Sequence, residues 1–299
     1  MISPHHSFLS AVSCLALLVS LPFASAEPTK STLTGLVPDA PAAKPLKALL
    51  IAGGCCHDYA EQHKIISKGL QRRANIRVDV IWTPDKSVDP PFDFFKNADW
   101  AKGYDVVIHD ECAAGNKNPQ VIANILNAHK TVPAVHLHCA MHSYRTKDWA
   151  QHIGLLSTSH GPKAPISVEI VDQEHPITKP LKSWIITKDE LYNNAEVFDA
   201  HPLAIGNQTY KKGGKDVTDS AIVAWVNTTH GAPSFSTSLG HYNEVVQSEE
   251  YLGLITRGAL WACGKIDNPA YMTPYTGSNT VTEIPAKAAK KKIKAKAQP

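Results

Sequence analysis

Beyond its first 26 residues the sequence has no apolar run of membrane-spanning length, so its body holds no candidate membrane helix. It has neither HExxH nor CxxC, so metal ligands, if there are any, must come from separated parts of the chain. No internal repeat is present, which excludes a solenoid or a propeller. Nor does the body carry a basic field for nucleic acid. The formal net charge is +3, yet the last 16 residues, "IPAKAAKKKIKAKAQP", hold six lysines and no acid. Taking those six from +3 leaves about −3, and nucleic acid drops out as a partner. Cysteine is sparse and of awkward number. With Cys14 in the leader described next, Cys55, Cys56, Cys112, Cys139 and Cys263 remain, and an odd count excludes a fully paired framework. Cys55 and Cys56 are adjacent, a poor arrangement for an unstrained bond, so these cysteines do not read as structural staples.

What is present begins with a leader. Residues 8–23 are apolar but short, and "ASA" at 24–26 is a small-x-small cleavage pattern. This predicts a signal peptide over 1–26, cleavage after Ala26 and a periplasmic or extracellular mature protein, although no Lys or Arg precedes the apolar run. Residues 27–45, rich in Pro, Ala, Ser and Thr, read as a linker. Residues 46–265 form the main α/β domain, and 266–299 a C-terminal extension with a Lys/Ala-rich tail. From Pro285 onward that tail has no apolar face to offset ordering entropy, and it should be dispensable for folding.

At 299 residues with 43% hydrophobic content, the chain can bury a sizeable core. "LKALLIAGG" (46–54) is an apolar run closing in two glycines, the pattern of a buried parallel strand. A helical stretch with apolar positions at Tyr59, Ile65, Ile66 and Leu70 follows. Strands at 76–82, 104–112 and 132–138, with a helix at 118–130, continue the alternation. The second half is more mixed, with strands near 166–171, 202–206, 221–226 and 233–240 and a closing helix over 248–264. The expected fold is an open, mostly parallel α/β sheet with helices on both faces, of flavodoxin-like or class I glutamine amidotransferase-like type.

In such sheets ligands bind beyond the carboxyl ends of the strands. The first strand ends in Cys55, Cys56, His57, Asp58 and Tyr59, and the third in His109, Asp110, Glu111 and Cys112. The fourth ends in "HLHCAMHSYR" (136–145), a late one in "SLGHYNE" with His241 and Glu244. Four strand ends each carrying histidine predict one functional rim. By period two His136 and His138 should share a strand face, with His142 one helical turn beyond. Asp189, Glu190 and Tyr192 in "TKDELYNN" either join the rim from a loop or open an exposed helix; spacing does not choose between them.

Taken in order, "GGCCHDY", "HLHCAMHSYR", "HPIT", "KDELY", "SLGHYNE" and "RGALWACGK" resemble the ThuA-like (trehalose utilisation) family of the class I glutamine amidotransferase-like superfamily. The resemblance implies a flavodoxin-like fold and a link to sugar catabolism, and it adds Glu190 to the rim. The superfamily sets a catalytic cysteine on a sharp turn after a strand, commonly in G-I-C-x-G. Here His138 stands at that position, Cys139 one later, and His136 replaces the first glycine, so a glutaminase mechanism is not implied.

The expected function is action on a sugar or keto-sugar, by isomerase, epimerase or hydrolase chemistry. His138, His57, His241, Glu190 and Glu111 are the candidate acid–base groups, and Asp58, Tyr59, His142, Arg145 and Tyr192 the substrate-binding ones. A divalent Zn, Mn or Fe on His57, His138, His241 and Glu190 is compatible with that set. A non-catalytic sugar-binding or scaffold module is the alternative, against which the rim offers mainly His, Cys and carboxylates rather than aromatic platforms.

Overall fold

The computed structural model describes residues 43–287. The leader with its cleavage site, most of the linker and the tail beyond Lys287 lie outside them.

The first half realises the expected alternation: β1 (Leu46–Gly54), α1 (Tyr59–Arg73), β2 (Ile76–Trp82), β3 (Val106–Cys112), α2 (Pro119–Ala128), β4 (Ala134–Leu137) and α3 (Lys147–Ile153). Local chemistry sets the boundaries. Asn118 caps α2 by accepting from the Gln120 and Val121 amides, with Pro119 at the first helical position. Thr146 caps α3, and Gly154 ends it in the left-handed region at φ 95°. The second half comprises β5 (Leu155–Leu156), β6 (His160–Ile170), β7 (Trp184–Tyr192), β8 (Glu196–Val197), β9 (His201–Lys212), β10 (Lys215–Asn227), β11 (Ser234–Thr237), α4 (Asn243–Val246), α5 (Glu249–Ala262) and β12 (Val281–Glu283).

Ten strands make one open sheet in the order β12-β2-β1-β3-β4-β11-β10-β9-β6-β7, while β5 and β8 pair separately. From β12 to β11 every pairing is parallel. From β11 outward the remaining pairings are antiparallel. The parallel part is the flavodoxin-like α/β core, covered on both faces because successive residues of its buried strands point to opposite sides. Leu50, Val78 and Ile108 face Ile66 and Leu70 of α1 and Leu252 and Ile255 of α5. Leu49, Ile51 and Val107 face Ile125 of α2 and Trp149 and Ile153 of α3. No helix among the described residues is long and apolar enough to cross a membrane.

Two segments depart from the sequence reading. Residues 187–192, left open there as loop or helix start, belong to β7, the edge strand of the antiparallel half. The region beyond 265 is not a mere extension. Val281–Glu283 adds a parallel strand beside β2, Asn279 Nδ2 donates to the Val78 carbonyl at 2.7 Å, and the Lys287 amide donates to Asp85 Oδ2 at 2.9 Å. The folded body therefore runs to Lys287, past Pro285 where the dispensable tail was placed.

Candidate functional site

β4 ends at Leu137, and His138 opens a 3₁₀ turn over His138–His142 with φ 43°. A left-handed conformation is uncommon for any residue with a Cβ and costs on the order of 1 kcal/mol or more. It also breaks period two. His136 turns into the α2/α3 layer, where its Nδ1 meets Ser236 Oγ at 3.0 Å and its ring lies edge-on to Trp149. His138 turns the other way, towards the cleft. Its Nδ1 lies 2.6 Å from the Ser238 carbonyl, which fixes the proton on Nδ1 and leaves the Nε2 lone pair outward. The Tyr192 hydroxyl reaches that Nε2 at 3.1 Å.

His57, on the β1–α1 turn, and His241, just past β11, complete a triad. Ring centroids stand 4.8 Å apart for His57–His138, 4.6 Å for His57–His241 and 5.7 Å for His138–His241. One ring nitrogen from each lies within 4.8 Å of the others. His57 Nδ1 faces the His241 carbonyl at 3.4 Å, so its Nε2 is also the free atom. Burial pushes the His57 pKa down to about 2, and the neighbouring His138 and His241 push the same way.

Glu190 of β7 supplies the negative charge. Its Oε2 is 3.2 Å from His241 Nδ1 and 3.6 Å from His138 Nε2; its Oε1 is 3.4 Å from Lys163 Nζ and 3.7 Å from His160 Nε2. Burial alone would raise this carboxyl's pKa, but the adjacent His138 and His241 imidazoles prevail and hold it well below the usual carboxylate range. Lys163 Nζ also lies 2.9 Å from His241 Nε2. Beneath, Asp189 accepts from the Gly240 amide at 2.9 Å and the His241 amide at 3.0 Å. Gln62 Nε2 donates to the Gly240 and His241 carbonyls from the other side, each at 3.2 Å. The loop carrying His241 is thus held on both flanks.

This rim, on this sheet, coincides with a family signature over most of the chain: residues 47–262 match the ThuA model, described as trehalose utilisation. The chain belongs to the ThuA family. A ThuA-like protein from Parabacteroides merdae ATCC 43184 shares its fold at TM-score 0.60 and 20% identity, over 75% of this chain and 92% of that one. One from Bacteroides uniformis ATCC 8492 does so at TM-score 0.56 and 18% identity, over 75% and 94%. The cytoplasmic protein STM1381 from Salmonella typhimurium LT2 follows at TM-score 0.50 and 13% identity, over 72% and 99%. No curated protein matches the chain in sequence.

Within this ThuA-family framework the predicted residues separate. His57, His138, His241 and Glu190 come together, with Tyr192 on His138. Glu111 does not join them. It is fully buried on the α2/α3 side of β3, where its Oε1 takes the Tyr144 hydroxyl and His109 Nδ1, each at 2.8 Å. Period two explains this: Glu111 shares the face of Val107 and His109, opposite Cys112. The chain continues from His109 Nε2 to His129 Nε2 at 2.8 Å and from His129 Nδ1 to the Val132 carbonyl at 2.9 Å. That last acceptor requires a proton on His129 Nδ1. Glu111 is a core anchor.

Arg145 is also displaced from its expected role. It is exposed, donates to the His142 carbonyl at 3.3 Å and lines a separate groove with Met141, Trp149, Ser157 and Phe198. Asp58 accepts from Asn243 Nδ2 at 3.0 Å, and Tyr59 is buried against Cys112 and Cys139 rather than offered to a substrate. His142 bonds Ser157 Oγ at 3.0 Å and stacks on Tyr192 with centroids 4.2 Å apart; burial lowers its pKa to about 4. Sequence reading missed Lys163, His160 and the Ser238 carbonyl. Only β6 pairing with β7 brings the first two to Glu190, and "HGPKAP" carries no local sign of it.

Proposed function

We propose that this ThuA-family chain is an enzyme acting on a sugar or keto-sugar, with one divalent transition-metal ion held by His57, His138 and His241 beside Glu190. The observation carrying this reading is the triad itself. Three imidazoles converge, two of them oriented by backbone carbonyls at Nδ1 so that Nε2 faces the cleft, free on His57 and met by the Tyr192 hydroxyl on His138, the arrangement typical of ligating histidines with an orienting outer partner. Imidazoles with a carboxylate suit Zn, Mn or Fe.

Such an ion would polarise a sugar carbonyl or hydroxyl oxygen. The chain's own groups supply the rest. Glu190, between two imidazoles and Lys163, is placed to take a proton from a carbon or hydroxyl next to that oxygen, and Lys163 offsets its charge. The Tyr192 phenol, whose pKa burial raises, stays protonated and donates. This set serves isomerisation, epimerisation or hydrolysis of a keto-sugar. A metal-free acid–base version is favoured by one contact, the Lys163 ammonium on His241 Nε2.

Chelator-treated protein titrated with Zn²⁺ or Mn²⁺ by calorimetry, with elemental analysis of the protein as isolated, separates these readings. One bound equivalent, lost in a folded His138→Ala variant, supports the metal site; an unaltered isotherm in that variant overturns it. Binding of keto-sugars without turnover would favour a sugar-binding module. We further propose that the mature chain works outside the cytoplasm, and N-terminal sequencing of the isolated protein should begin at Glu27.

A further inference from the structure

A second cluster lies under the histidine triad, made of sulfur. Contrary to what their adjacency suggested, Cys55 and Cys56 are joined as a disulfide. Cys55 Sγ stands 3.4 Å from Cys112 Sγ, and Cys112 Sγ 2.8 Å from Cys139 Sγ. Four sulfurs from three strand ends therefore form a continuous file. Its outer end, Cys56, is exposed; Cys55 is half-buried; Cys112 and Cys139 are buried against Tyr59 and Ala52.

The backbone brings the file together. β1 and β3 run in register, with Gly54 opposite Cys112, so Cys55 begins one residue beyond its partner. A Cβ at position 54 would collide with the Cys112 carbonyl, and φ there is 103°, so glycine is what permits the approach. Cys112 and Cys139 are closer than the roughly 3.8 Å that separates sulfurs around a tetrahedral zinc, within reach of direct bonding.

We propose that Cys56, Cys55, Cys112 and Cys139 form a thiol–disulfide relay, which moves one disulfide between the surface and the core and exchanges with a low-molecular-weight dithiol at Cys56. In the first step the Cys112 thiolate attacks Cys55 Sγ. The Cys55–Cys112 bond forms, the Cys55–Cys56 bond breaks, and Cys56 leaves as a thiolate that takes up the proton Cys112 gave up. In the second, the Cys139 thiolate attacks Cys112 Sγ. The Cys112–Cys139 bond forms, the Cys55–Cys112 bond breaks, and Cys55 leaves and is protonated. One disulfide and two thiols stand on each side, so no outside oxidant enters. An external dithiol reducing the outer bond becomes a disulfide itself and leaves all four cysteines as thiols.

The test is a disulfide map of the full chain, equilibrated in buffers of oxidised and reduced dithiothreitol. Acid quenching, alkylation with N-ethylmaleimide in denaturant and trypsin digestion then separate the three strand ends as peptides 48–64, 103–117 and 131–145. The relay requires two forms at one oxidation level: peptide 48–64 two hydrogens light, and 103–117 cross-linked to 131–145. It also requires that folded Cys139→Ser traps a cross-link between 48–64 and 103–117. Peptides 103–117 and 131–145 fully alkylated at every redox setting, in wild type and variant, would overturn it. So would a stoichiometric metal lost in Cys112→Ser but retained in His138→Ala, which would make the sulfurs a thiolate metal site.

Discussion

Asp189 offers a quantitative test of how the site is held. Its side chain is fully buried and lies beneath the triad, accepting the Gly240 and His241 amides at 2.9 and 3.0 Å. Asp189→Asn keeps the shape but turns one oxygen into an NH₂ that faces an N–H. One buried amide is then orphaned, at about 1–3 kcal/mol, and the other loses its charge-assisted partner, at about 1 kcal/mol. The sum, about 2–4 kcal/mol, corresponds to a melting temperature lower by roughly 5–15 °C for a body of this size. His241 loses its anchor as well, and loss of such an outer partner weakens metal binding about 10–100-fold. Guanidinium unfolding and calorimetric Zn²⁺ titration read the two effects separately. Asn stability within about 0.5 kcal/mol of wild type, together with an unchanged Zn²⁺ Kd, would refute the assignment of Asp189 as the pin of the His241 loop.

Cys139→Ser should leave keto-sugar turnover within about tenfold, or roughly 1.4 kcal/mol of barrier; a loss of three decades would make this cysteine the nucleophile. Glu111→Ala should cost about 3–5 kcal/mol in denaturant unfolding, because it strands His109 in the core, while Zn²⁺ affinity of the folded protein stays put. Weakened metal binding there would return Glu111 to the site. Truncation after Lys287 should move the melting temperature by no more than a few degrees, whereas truncation before Val281 should lower it further by uncovering β2. Gly54→Ala should fold poorly or not at all, as judged by soluble yield and circular dichroism, since its Cβ meets the Cys112 carbonyl.

The parallel core was legible because β1 is buried on both faces and reads as an apolar run, while β2 alternates apolar residues with Arg77 and Asp79; both strands begin and end where those patterns do. The histidine triad was legible because parallel strand ends share a rim, so His57, His138 and His241 needed no side-chain knowledge to be grouped. β7 was harder. Its Lys188, Asp189 and Glu190 make a charged triplet that obscures strand character, and burial of the last two is justified only by partners on β6 and after β11. β12 has three exposed residues and no pattern at all. The split between His136 and His138 depends on one backbone dihedral, which no residue type near it dictates.

The position of β11 has a consequence for the order in which the molecule is made. It lies between β4 and β10, and the bond from His138 to the Ser238 carbonyl spans 100 residues of chain. The contact from His57 to the His241 carbonyl spans 184. On the ribosome, the layers built on β1 to β4 can collapse while β11 is still unmade, since their contacts are nearer in sequence. A nascent chain halted before residue 241 has two of the three imidazoles and no third. The triad is therefore complete only after β11 has taken its place between β4 and β10, so the proposed metal site would form late, once the central strand of the sheet is in register.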